Sequence, residues 1–113
     1  MKKTIILTTV LSAVLLLNGI PANAQNFDAY SKAVDAYYKD NFSDAVKYYN
    51  QYLKDNPDNK LIHDLVLYNL GNSYVKLNNK NKAISTFKKL IAEYKDSTWV
   101  KYAKDEIQEL SKK

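Results

Sequence analysis

Tyr68-Asn69-Leu70-Gly71-Asn72-Ser73-Tyr74, followed at helical distances by Ala83, Phe87 and Leu90, is the stretch that decides the fold. Leu61, Leu65, Leu67, Tyr68, Leu70, Gly71 and Tyr74 carry one helical run, and Asn78-Asn79 ends it. Downstream, Ala83, Ile84, Phe87, Leu90, Ile91 and Tyr94 form a second apolar stripe at steps of three and four. Asp96-Ser97 then offers an N-cap, and Val100, Ala103, Ile107 and Leu110 predict a final helix. Upstream, Asp55-Asn56-Pro57-Asp58-Asn59 reads as a turn, because Asp and Asn bond their own backbone and Pro cannot continue a helix. Before it, Phe42, Ala45, Val46, Tyr49, Tyr52 and Leu53 make another stripe, and Asp40-Asn41 separates that stripe from Phe27, Tyr30, Val34 and Tyr37.

The two halves resemble each other. Phe42-Ser43-Asp44-Ala45-Val46 precedes Tyr49 as Lys80-Asn81-Lys82-Ala83-Ile84 precedes Phe87. The step from Ala45 to Ala83 is about one helical turn longer than the 34-residue helix–turn–helix period of a common solenoid repeat, and the segment from Lys60 to Asp64 is the natural place for the extra turn.

On these residues the chain resembles a tetratricopeptide repeat (TPR) protein. Tyr68, Leu70, Gly71, Tyr74, Ala83, Phe87 and Leu90 match the repeat pattern without a gap, while Ala33, Phe42, Ala45, Tyr49 and Pro57 match it more loosely. Lys32, Lys80 and Lys95 depart from it. The resemblance implies an all-α, TPR-like helical-hairpin solenoid of two repeats plus a C-terminal capping helix. The first unit would cover 25–59, the second 60–96 and the cap 97–113. Asn56-Pro57-Asp58-Asn59 and Tyr94-Lys95-Asp96-Ser97 are similar to the turns of bacterial envelope members, namely the Tol–Pal accessory (TolA-binding) and outer-membrane assembly types. Their lipoproteins need a Cys after the signal, and this chain has none.

The segment from Met1 to Ala24 reads as a cleaved secretory signal. Lys2 and Lys3 open it, Thr4 to Leu17 is uncharged and mostly apolar, and Ala22-Asn23-Ala24 is a small-x-small cleavage site. The apolar stretch is shorter than the roughly 20 residues that span a bilayer, so no integral span is expected after cleavage. Export to the periplasm is the expectation, with secretion outside the cell as the alternative.

The remaining chain is poor in breakers, with Gly71 and Pro57 its only Gly and Pro. Its basic residues are all Lys, 15 against 12 acids, a balance of +3 that argues for no nucleic-acid partner. Arg is absent, and with it the bidentate fork that reads phosphates and guanine. Absent Cys and a single His, His63, leave no expected metal site and no cofactor. No residue set can be assigned catalytic roles, so the expectation is a protein that is not an enzyme. His63 reads as a surface helix residue.

The ten Tyr, all after residue 25, are the chemical signature of the chain. Tyr49 and Tyr52 fit a buried stripe, while Tyr48 lies one step off it. The resemblance implies a ligand groove lined by the first helix of each unit, at Phe27, Tyr30, Val34, Tyr37 and Tyr38, then at Leu65, Tyr68, Asn72, Val75 and Lys76. From these, Tyr30, Val34, Tyr37, Tyr68, Asn72 and Lys76 are the candidate site. There the amide of Asn72 would bond a peptide backbone and Lys76 would attract a carboxylate. The alternative for several of these Tyr is a core position with only the hydroxyl in water. Trp99 stands off the stripe of the last helix, where it either caps the apolar strip or marks an exposed contact. The expected function is a non-catalytic adaptor or scaffold of the bacterial cell envelope that binds a protein or peptide. The alternatives are Lys-mediated binding to anionic lipid or cell-wall polymer, and structural self-association. Edman sequencing or intact mass of the native protein is expected to begin at Gln25, and a mature mass beginning at Met1 overturns the cleavage.

Overall fold

Five helices follow one another in this computed structural model, which describes residues 26–112. They are α1 (Asp28–Tyr38), α2 (Phe42–Asp55), α3 (His63–Lys76), α4 (Lys80–Glu93) and α5 (Trp99–Ser111). Each packs on the next, and α5 also reaches back to α3. The result is the expected all-α array: hairpin α1–α2, hairpin α3–α4, and a closing helix. The signal segment expected at 1–24 lies outside the described residues.

Both hairpins turn by the same device. At the end of α1, Asn41 N–H bonds the Ala36 carbonyl at 2.8 Å and Asp40 N–H bonds that of Tyr37 at 3.1 Å. At the end of α3, Asn79 bonds Tyr74 at 2.9 Å and Asn78 bonds Val75 at 3.0 Å. These are Schellman closures, which need one residue in the left-handed region. Asp40 (φ 59°) and Asn78 (φ 58°) supply it, and Asp and Asn tolerate that conformation better than other non-Gly residues. The next residue then starts the following helix: Asn41 Oδ1 accepts from Asp44 N–H at 3.3 Å and Asn79 Oδ1 from Lys82 N–H at 3.2 Å. Polar side chains thus do here what Gly does in most helix ends, which explains how so Gly-poor a chain makes tight turns.

The connections between units are built differently. Asn56 is buried, donates from Nδ2 to the carbonyls of Asn26 (2.9 Å) and Tyr52 (3.0 Å), and accepts the Asn26 N–H on Oδ1. It ties the chain ahead of α1 to the end of α2. At the second connection Ser97 Oγ donates to Asp64 Oδ2 and accepts the Trp99 N–H, while the N-cap of α5 is Thr98, one position past the expected Asp96-Ser97 and without a side-chain cap bond.

The core falls into two clusters that meet at α3. Ala29, Ala33, Ala36, Ala45, Tyr49, Tyr52, Val66 and Leu70 form the first, and Leu67, Ala83, Phe87, Leu90, Ala103 and Leu110 the second. Helix α3 therefore buries residues toward both units. The buried face of α1 is Ala29, Ala33 and Ala36 rather than the stripe Phe27, Tyr30, Val34 and Tyr37 read from the sequence. Small side chains let α1 lie close to α2, whose Tyr49 and Tyr52 fill the space between, so the large residues of α1 turn toward the groove side. On α5, Ala103 and Leu110 are buried, with Val100 and Ile107 half-buried beside them, while Lys101, Lys104, Asp105, Gln108 and Glu109 face solvent, as a closing helix requires.

Gly71 lies directly against the Phe87 ring. A methyl group at Gly71 would stand 2.7 Å from Phe87 Cζ, and Phe87 is fully buried with nowhere to retreat. Gly71→Ala is expected to lower stability in urea unfolding by about 1–3 kcal/mol despite its better helix propensity, and Gly71→Ala with Phe87→Leu to recover part of the loss. A Gly71→Ala protein as stable as the parent overturns the contact.

Candidate functional site

The first helix of each hairpin and α5 turn their uncommitted side chains to a shared face. Tyr30, Val34, Tyr37 and Tyr38 of α1, Tyr49 of α2, and Leu65 and Asn69 of α3 line a pocket of about 290 Å³. Spacings of four and three set Tyr30, Val34 and Tyr37 on a side of α1 that flanks the buried alanines, with Tyr30 and Tyr37 still packed against the first core cluster. Tyr49 lies at the bottom, buried; burial pushes its hydroxyl far above the ordinary range, and a hydrogen bond from the Asn69 side chain pulls the other way. Tyr37 is half-buried, with its ring edge-on to Phe42 at 5.3 Å and to Tyr38 at 6.2 Å. Burial raises its hydroxyl too, and the Tyr68 and Tyr38 hydroxyls with the Glu106 and Asp40 carboxylates add to the effect.

Of the six residues singled out in the sequence, the structure brings Tyr30, Val34 and Tyr37 together in this pocket. Tyr68, Asn72 and Lys76 are not among its lining residues. Tyr68 packs on Phe87 (5.8 Å) and stacks on Trp99 at 5.0 Å with 28° between the rings. Asn72 is half-buried and Lys76 exposed toward the end of α3. Asn69 takes the amide position instead. Its signal in the sequence was faint: it stands one helical turn after Leu65, the groove position read from the pattern. Trp99 and Tyr102 were also missed as a pair, although they sit three apart on α5 and off its buried stripe. They lie 5.7 Å from each other, and Tyr102 lies 6.3 Å from Tyr68.

His63 corrects its surface reading. It is 5% exposed, and its Nε2 is buried without a hydrogen-bond partner. The ring sits between Tyr52 of α2 (5.9 Å) and Tyr94 after α4 (6.4 Å), above a pocket of about 170 Å³ that Lys60, Lys89 and Glu93 also line. The reason is the lengthened third helix. The step from Ala33 to Gly71 equals that from Ala45 to Ala83, so Val66 corresponds to Asp28, and His63-Asp64-Leu65 is an added turn that α1 lacks. That turn slides beneath the α2–α3 connection. Burial lowers the His63 pKa below its usual 6.5; the Asn56 carbonyl, accepting from the ring, and Asp64 oppose this, while Lys60 and Lys89 reinforce it.

Among the described residues, no three His, Cys, Asp or Glu come together to hold a metal ion, and no helix is long and apolar enough to cross a membrane. The family model described as tetratricopeptide repeat matches the chain twice, over residues 28–59 and 65–97, together more than half of its length. No curated protein and no solved structure is significantly similar to it.

The folded state favours neutral His63, so on acidification the unfolded chain takes up the proton first. The stability this residue confers is complete above about pH 6.5 and is lost as pH falls from there through the lowered folded value. The urea midpoint is expected to drop between pH 7.5 and pH 5.5, and His63→Leu to remove that part of the drop. Equal pH dependence in parent and variant overturns the assignment.

Proposed function

The chain belongs to the tetratricopeptide repeat family, and from that premise we propose a non-catalytic adaptor of the bacterial cell envelope that holds a peptide or protein segment in the groove of its first hairpin. Repeats of this family generally mediate protein–protein interaction. The observation that carries the reading is the tyrosine-lined pocket across α1, α2 and α3. Its walls are aromatic and aliphatic, and Asn69 places an amide beside them. A buried aromatic anchor with an adjacent polar group is the usual composition of a peptide-binding hot spot. The envelope location rests on the signal-like segment that precedes Gln25 and on the turn likeness to Tol–Pal accessory and outer-membrane assembly proteins.

The α1 and α3 side chains differ in what they would do. Tyr30 and Tyr37 offer ring faces and hydroxyls on either side of Val34, a surface suited to an extended or helical segment crossing the helices. Asn72 and Lys76 extend the same face of α3 beyond the pocket and would meet a longer ligand. Pull-down from an envelope fraction is expected to recover a protein partner, and Tyr37→Ala with Tyr68→Ala to lose it while the helical circular-dichroism signal persists. Recovery unchanged by the double substitution overturns the groove. Capture that collapses steeply with salt yet ignores these Tyr would instead favour the Lys-rich outer surface.

A further inference from the structure

The end of the face formed by α5 has its own chemistry. Trp99, Tyr102 and Glu106 follow at steps of three and four along one side of α5, opposite the solvated Lys101, Lys104 and Asp105. Tyr68 of α3 stacks on Trp99, and Phe87 backs Tyr68 from the core, so the aromatic group is held from behind. Tyr102 is 51% exposed and Trp99 half-exposed, so ring surface is open to solvent. Glu106 is half-buried and forms no ion pair among the described residues, although Lys is the commonest charged residue of the chain. The chain carries a net positive charge, yet this side of α5 presents Trp99, Tyr102 and a carboxylate, that of Glu106.

We propose that Tyr68, Trp99, Tyr102 and Glu106 form a subsite for an arginine side chain of the bound peptide, with the guanidinium over the rings and the Glu106 carboxylate as its counter-ion. Aromatic faces attract cations through the ring quadrupole, best of all over Trp, and the planar guanidinium stacks where an ammonium cannot. A half-buried carboxylate with no ion pair among the described residues supplies the complementary charge. The chain contains no Arg, so the residue must come from another protein rather than from a second copy. The peptide context rests on the groove reading above; the cation subsite itself stands on the α5 residues.

Trp99 is the one Trp of the chain, so its fluorescence reports on this subsite alone. N-acetyl-arginine amide titrated into the protein is expected to change Trp99 emission saturably, and N-acetyl-citrulline amide, of the same shape without the charge, to leave it flat. Glu106→Gln is expected to weaken the response about three- to tenfold, and Asp105→Asn, on the solvated side of the same helix, to leave it unchanged. An equal response to both amides, no response to arginine amide, or full affinity in Glu106→Gln overturns the subsite. Loss of a captured partner on Tyr37→Ala/Tyr68→Ala with no effect of Glu106→Gln also removes it while leaving the groove reading standing. A Trp99 response to arginine amide with no partner captured supports the subsite and counts against the groove reading.

Discussion

Close approach of paired helices, permitted by small residues facing large aromatic ones, is the constraint on which the structure depends. Gly71 lies against Phe87 with no room for a methyl group, and Ala33 and Tyr49 hold the corresponding places one repeat earlier. On α1 the residues buried at this close approach are Ala29, Ala33 and Ala36. Tyr30 and Tyr37 are left half-buried at the edge of the first core cluster, and with Val34 they line the pocket shared with α3. Packing and the candidate site therefore meet on one helix: its small residues seat it, and its larger ones border the pocket.

The turns make few demands on composition. Asp40 and Asn78 take left-handed backbone conformations, and Asn41 and Asn79 cap the helices that follow. Each hairpin needs only a few polar residues, and the single glycine of this region is left for helix contact. The connections between hairpins carry the variation. Asn56 saturates its amide with backbone groups from two segments, and the added turn of α3 brings His63 under that connection with one nitrogen unsatisfied. A buried imidazole near two lysines is tolerated because it remains neutral. It also makes the junction between the hairpins a part of the molecule that responds to acid.

The open face runs from the α1 tyrosines to the α5 aromatics, with Tyr68 between them. Tyr68 is tied to Phe87 on one side and Trp99 on the other, so it joins the core of the second hairpin to the exposed end of the array. The proposed binding face combines ring surface at the first hairpin with a carboxylate beside rings at the closing helix. Several of the lysines that dominate its composition belong to other faces, where Lys32 and Lys47 lie over the Tyr48 ring and Lys82 over that of Tyr74.

Five helices, their turns and the repeat were legible in the sequence, because they follow from local facts: apolar spacing at three and four, Asn and Asp at the breaks, and Gly71 and Ala83 at matching offsets. Tyr49 and Tyr52 as core, and the solvated outer side of α5, followed from the same periodicity. Periodicity does not say which of two apolar stripes on one helix faces its neighbour. For α1 the structure chose the alanines, since packing distance rather than hydrophobicity decides that contact. Nor could spacing show that Asn69 and not Asn72 lines the pocket, that Tyr68 leans toward Trp99, or that His63 is buried. Each of these depends on how one hairpin is set against the next. By itself the sequence determined the helices and the repeat that orders them; only the tertiary structure decided which side chains meet, because that is a property of distances between elements far apart in the chain.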